Sequence, residues 1–223
     1  MAKMEKHERV RLKEAILAAL AALREVFPLE RRVAMAPAPV KAAYIEVLNR
    51  WRGNAVPPRV DDIDPDQRAT LVELDMVVEQ KNGLGCYPFS ADDTPFRVRC
   101  AGDESVYAFC ALDALAIPCL LGQSAWVEAH CASCGRALYC EVAGDGALPE
   151  QAHDRMVMVW EPVGRSVAGS EACCRTLCPH IRFMCASCAG WSGAQIFTLP
   201  QAAAVANAFF AFQRRLNGGR REA

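Results

Sequence analysis

The chain has 223 residues, 52% of them hydrophobic and 23% charged, with a formal net charge of −1. Such a chain can bury a real core in one medium domain or two small ones, which excludes a disordered acidic or basic polymer. The near-zero charge gives no global attraction to nucleic acid or to an anionic membrane.

Cysteine is the outlier, with twelve thiols. The chain is too long and too apolar to need a disulfide framework, so the thiols read as reduced and the location as cytoplasmic. Cysteine then means metal, redox or nucleophilic chemistry. The apolar stretch Ala15–Leu23 is too short to span a bilayer. The basic residues before it are interleaved with Glu5, Glu8 and Glu14, so neither a leader nor a membrane partner is expected.

Residues 1–60 carry twelve Lys and Arg against six Asp and Glu, and residues 61–80 carry one against seven. This division predicts an N-terminal helical, winged-helix-like module over 1–80, a main domain over 81–217 and a frayed tail at 218–223. In chain order, Val10–Phe27 is the first helix, with Leu12, Ile16, Leu20 and Leu23 on one face. Val40–Arg52 is the second. Asp64-Pro65 caps and starts a third that runs to about Val78. Asn82-Gly83 is a turn. Packing or dimerisation is the expected role of this module, since no basic helix with base-reading side chains stands out and nucleic acid is not an expected partner.

Beyond residue 83 the period shortens. Phe96, Val98 and Cys100 alternate with Arg97 and Arg99 as a half-buried strand. Ser105–Leu121 reads as one helix, capped by Asp103 or Ser105 and kinked at Pro118. Trp126–His130, Ala137–Val142, Met156–Trp160 and Gln195–Leu199 read as strands, and Ala202–Leu216 as a closing helix. The fold class is therefore α+β, a helical module followed by a small mixed β-sheet core flanked by helices.

Three groups of residues could carry chemistry. Cys110 and Asp113 share a helix face at i and i+3, amid Phe109, Leu112 and Leu115. An apolar pocket would raise the carboxyl pKa and make it a proton donor; the bland reading is a buried thiol and a surface carboxylate. Cys173, Cys174 and Cys178 stand with His180 within eight residues, a density suited to a soft metal or to redox work. Cys131-Ala-Ser-Cys134 and Cys185-Ala-Ser-Cys188 are two CxxC knuckles, one way to build a tetrahedral zinc site. They lie fifty-one residues apart, between Cys134 and Cys185, so the alternatives are one redox CxxC or four unrelated buried thiols. Cys140 and His130 are further ligand candidates. Cys86, Cys100 and Cys119 read as core, His7 as exposed and His153 as structural. The chain has no Gly-rich phosphate loop, no GxSxG and no HExxH.

The segment Tyr107-Ala-Phe-Cys110-Ala-Leu-Asp113-Ala-Leu, followed by Ile117-Pro118, resembles the core motif of the alkylmercury (organomercurial) lyase family. Trp126-Val-Glu-Ala-His130-Cys131 resembles that family's next strand. Cys178-Pro-His180-Ile-Arg-Phe183 resembles its second cysteine segment, with Trp191 and Ile196–Leu199 following in order. The resemblance covers roughly residues 70–215. It implies protonolysis of a carbon–mercury bond, with Cys110 giving a thiolate to mercury, Asp113 relaying the proton, and a second cysteine completing the set. Family members often have two adjacent cysteines at that point, whereas here Leu177 precedes Cys178 and the adjacent pair is Cys173-Cys174. Cys178 is the first choice, ahead of Cys173 and Cys174. The resemblance further implies an organomercurial substrate and no organic cofactor. The Hg(II) product would rest on Cys110 and Cys178, then pass to low-molecular-weight thiols or mercuric reductase. The knuckle cysteines exceed what the family core requires and are candidates for structural zinc.

Overall fold

A computed structural model describes residues 2–100, 104–148, 156–161, 171–191 and 194–216. Asp103, His153, the side chain of His7 and the tail 218–223 lie outside what it describes. The architecture is mixed α+β, as expected from the change of period along the chain.

The chain opens with three α-helices, α1 (Ala2–Val26), α2 (Leu29–Met35) and α3 (Ala38–Asn54). The apolar stripe of α1 enters the core only from Ile16 onward, since Leu12 is exposed while Leu20, Leu23 and Phe27 are buried. Helix α2 lies between the first two helices expected from the sequence, in a stretch with no expected element. It is only seven residues long, too short for a periodicity to register, and its buried residues are Leu29 and Val33. Helix α4 (Pro65–Glu73) starts as expected, with the Asp64 carboxylate accepting the backbone N–H groups of Asp66 and Gln67. It stops short of Val78, because Asp75 turns the chain in the left-handed region (φ 49°). The next residues form a hairpin, β1 (Val78–Gln80) with β2 (Gly83–Gly85). Gly83 has φ 138°, and a Cβ there would stand 2.5 Å from the Pro58 carbonyl oxygen, so only glycine fits.

Eight more strands and four more helices follow among the described residues. The strands β3 (Phe89–Ser90), β4 (Arg97–Cys100), β5 (Ser105–Ala108), β6 (Ala125–His130) and β7 (Ala137–Val142) form one sheet in the order β3-β5-β4-β6-β7. The strands β8 (Met156–Trp160), β9 (Ile181–Cys185) and β10 (Gln195–Thr198) form a second in the order β10-β8-β9. All described strand pairs are antiparallel. Helix α5 (Ala111–Leu121) is buried at every position from Ala111 to Leu120. It packs against β4, β5, β9 and α7 (Leu199–Phe209), and such all-round burial fits a helix whose one charged residue is Asp113. The short helices α6 (Cys173–Thr176) and α8 (Ala211–Arg215) complete the set.

Two expectations are corrected here. The expected helix Ser105–Leu121 is a strand followed by a helix. Val106 and Ala108 are buried while Ser105 and Tyr107 are half-buried, a period of two, and the helix cap is Cys110 rather than Asp103 or Ser105. The closing helix is divided between α7 and α8 at Phe210, and it begins earlier than Ala202, with Thr198 and Gln201 forming a capping box.

The helical N-terminal part and the strands share one buried cluster running from Ala19 to Phe212. Trp51 of α3 donates its indole N–H to the Leu84 carbonyl at 2.9 Å and stacks on Phe89 at 5.3 Å. Gln213 donates through Nε2 to the Tyr44 hydroxyl at 2.7 Å and to the Tyr87 carbonyl at 2.6 Å.

Candidate active site

Cys110 ends the run from β5 and caps α5 in an extended conformation (φ −150°, ψ 179°), which places Asp113 in the first helical turn. The two side chains converge because a helix brings its third residue back over its cap. Cys178 arrives from the far side of the chain. It opens a 3-10 turn, Cys178–His180, in which Pro179 fixes the backbone before β9 begins. Its thiol points at Asp113 Oδ2 at 3.8 Å. The ligand atoms of Cys110, Asp113 and Cys178 all lie within 4.8 Å of one another. The three residues are 2%, 3% and 5% exposed.

The electrostatics follow from that burial. Desolvation raises the Asp113 pKa from 3.8 to about 7, against the opposing pull of hydrogen bonds from Cys110 and Cys178. Desolvation also raises the Cys110 thiol. Cys178 is raised well above the usual thiol value, first by its hydrogen bond with Cys110 and then by burial. A carboxyl that exchanges its proton near neutral pH thus sits between two thiols that lose theirs only to a strong electrophile or a soft metal.

The other two candidates for the second thiol sit differently. Cys173 is buried, and burial raises its thiol far above the ordinary range; Cys174 is half-buried. Their backbones are tethered rather than their sulfurs presented. The Cys173 N–H donates to Asp75 Oδ2 at 3.0 Å, and the Cys174 N–H to the Tyr87 hydroxyl at 2.9 Å. Tyr87 in turn donates to Asp75 Oδ1 at 2.9 Å, and Arg32 Nη1 to Oδ2 at 3.0 Å. Burial raises the Asp75 pKa, and these donors oppose it. Asp75, Tyr87 and Arg32 went unnoticed in the sequence. The Asp75–Cys173 bond joins residues 98 positions apart, and no local pattern marks it.

The knuckles do come together. The sulfurs of Cys131, Cys134, Cys185 and Cys188 all lie within 4.8 Å of one another, with Cys134 Sγ and Cys185 Sγ 3.8 Å apart. Burial opposes ionisation of Cys131, but backbone N–H groups of Cys134, Cys185 and Ser133 outweigh it and bring that thiol down to about 6. Cys140 and His130 belong to neither thiol set. Cys140 is buried on β7, and burial alone pushes its thiol up to about 12. Cys86, Cys100 and Cys119 are buried, as expected of core cysteines. The outer face of the five-stranded sheet carries a groove of about 630 Å³ bordered by Arg97, Tyr107, Trp126 and Tyr139, and no cysteine lines it.

The chain compares with known proteins as follows. The mercury-bound form of MerB2 superposes with a TM-score of 0.65, at 17% identity, covering 86% of this chain and 99% of that one. This is a likeness of fold. An alkylmercury lyase of Pseudomonas putida is 31% identical over 107 residues, 47% of this chain and 46% of the relative, so the match spans about half the relative's length. The profile of the alkylmercury lyase family matches residues 89–211, which takes in Cys110, Asp113, Cys178 and both knuckles. With more than half of its length under that profile, the chain belongs to the alkylmercury lyase family.

Proposed function

We propose that the protein is an organomercurial lyase that cleaves the carbon–mercury bond by protonolysis for mercury detoxification. The observation that carries this reading is the buried Cys110–Asp113–Cys178 set, in which two soft ligands and one carboxyl of pKa about 7 converge within 4.8 Å. Simple capture of a soft metal needs the two thiols and gains nothing from a carboxyl that is half protonated near neutral pH.

The chemistry follows from those groups. An organomercurial R–Hg–X enters with its mercury toward the thiols. Asp113, as carboxylate, accepts the proton of one thiol as that sulfur bonds to mercury and X⁻ departs. The second thiol adds to mercury and releases its proton to X⁻ or water. Two thiolates on mercury raise the electron density at the bound carbon. Protonated Asp113 then delivers its proton to that carbon, the C–Hg bond breaks with its electron pair on carbon, and R–H leaves. Hg(II) stays as a dithiolate of Cys110 and Cys178. Its release requires exchange onto another pair of thiols, supplied by small thiols or by the thiols of a mercuric reductase. The reacting groups are the protein's own side chains, and the low-dielectric pocket is what sets the carboxyl near neutrality.

The test is turnover of phenylmercury by the reduced protein in excess small thiol, with benzene followed in the headspace. Steady benzene release that Cys110→Ser abolishes is expected. Mercury uptake without benzene would replace this reading with that of a non-catalytic, thiol-rich metal-binding or metal-sensing protein.

A further inference from the structure

We infer that Cys131, Cys134, Cys185 and Cys188 hold a structural zinc ion as a tetrathiolate, a site separate from the Cys110–Cys178 pair. The ion staples the hairpin of β6 and β7 to the far end of β9.

Three observations carry this. The first is distance. Zinc–sulfur bonds of about 2.3 Å in a tetrahedron set the sulfurs about 3.8 Å apart. Cys134 and Cys185 already stand at 3.8 Å, and no pair among the four exceeds 4.8 Å. The second is the shape of the two turns. The Gly135 N–H donates to the Cys131 carbonyl at 2.9 Å with Gly135 in the left-handed region (φ 71°), and the Cys188 N–H donates to the Cys185 carbonyl at 2.9 Å. Each CxxC is thus folded back so that both its sulfurs face the same point. The third is support around the sulfurs. The Cys185 N–H donates to Cys131 Sγ at 3.3 Å, a bond that favours thiolate over thiol. The Ala132 N–H donates to the Phe183 carbonyl at 3.0 Å and locks one knuckle onto β9.

Four convergent sulfurs suit zinc better than the alternatives. All four are free thiols here, and four free sulfurs converging on one point suit a metal ion. Hg(II) is satisfied by two thiolates, and this site offers four. A tetrahedral site of four sulfurs selects zinc or iron, and zinc is redox-inert beside thiols that must stay reduced.

The position of the site gives it a consequence. Cys185 ends β9, a strand about 15 Å long, and Cys178 opens the 3-10 turn that leads into its other end. An ion that clamps the far end of that strand holds the element that delivers Cys178 to Asp113.

The experiment is metal analysis of the protein purified from zinc-supplemented medium, with Co(II) exchange. About one zinc per chain is expected. It should persist in the Cys110→Ser/Cys178→Ser double variant and fall to under about a tenth in Cys134→Ser/Cys188→Ser. Co(II) should give the visible bands of a tetrahedral tetrathiolate in the wild-type protein. That spectrum decides the matter even where the knuckle variant does not fold. Iron in place of zinc, zinc that is lost with Cys110 and Cys178, or a folded wild-type protein with neither zinc nor the tetrathiolate spectrum overturns the inference.

Discussion

Burial of the Asp113 carboxyl holds its proton up to about pH 7, where an unfolded chain releases it near the ordinary 3.8. Between those two values the folded protein binds a proton that the unfolded chain gives up. The stability that the protonated carboxyl contributes is full below the lower value and lost as pH rises through the upper one. Cys110, Cys178 and, through the field, Cys173 face the carboxyl, and their thiols remain protonated across this window, so the carboxyl is the group that titrates. Asp113→Asn is therefore expected to stabilise the protein at pH 8 by on the order of a few kcal/mol, with little effect near pH 4, while turnover is lost. Urea denaturation at the two pH values reads this directly; an equal effect at both contradicts the burial argument. Cys178→Ser should lower benzene release by about a hundredfold or more, and Cys174→Ser by less than about threefold, in steady-state assays. The spacing of Cys110 and Asp113 left the bland reading open, and it was the resemblance of the segment Tyr107–Leu115 that singled the pair out; the two meet because Cys110 is the extended cap of α5 and Asp113 lies in its first turn. The contact of Cys178 with Asp113 spans 65 residues, which no spacing in the chain announces; the resemblance put Cys178 first and kept Cys173 and Cys174 as alternatives.

Elements decide how that long-range contact is held. The segment from Cys173 to His180 contains only the short helix α6 and a 3-10 turn, too little structure to position a thiol unaided. Its backbone is fixed by Asp75, at the turn after α4, and by Tyr87. Tyr87→Phe removes the hydroxyl shared by Asp75 and the Cys174 N–H and leaves that half-buried donor without its acceptor. A loss of about 1–2 kcal/mol in denaturant unfolding is expected, with a fall in benzene turnover at unchanged Cys110 and Asp113. Full stability and full turnover in this variant would show that the tether does not position the loop. Of the strands β6, β7, β8 and β10, the first two alternate in burial and β8 is buried at every position, and all four were legible in the sequence. The stretch Ser105–Ala108 was not, because Val, Tyr and Ala lead directly into the apolar run of α5 and a single continuous helix fits that composition. The cap at Cys110 is what separates the two elements, and it also gives the thiol its place.

At the scale of the whole molecule, one core joins the N-terminal helices to the sheets and to α7. Trp51 is central to that union, being 1% exposed, stacked on Phe89 and bonded to the Leu84 carbonyl. Trp51→Ala should cost about 3–5 kcal/mol, read as an earlier midpoint of one cooperative denaturation curve. Two separated transitions would show that the helices and the sheets fold independently. The α+β class was legible from the change of period, but the packing of the two sheets was not. The knuckles meet because β6 and β7 lie beside β9, a pairing of elements that no spacing in the chain announces. The same packing brings β9 past α5 and so assembles the buried site from two distant segments.

The most direct test of the central claim is a single turnover without added thiol. Stoichiometric phenylmercury is mixed with reduced protein in D2O, and headspace benzene and protein-bound mercury are measured for the wild type, Cys110→Ser, Cys178→Ser and Asp113→Asn. One equivalent of monodeuterated benzene and one of retained Hg(II) per wild-type chain, with no benzene from any of the three variants, is the result predicted. Phenylmercury held intact by the wild-type protein, or benzene released equally by Asp113→Asn, would contradict proton delivery from the buried carboxyl.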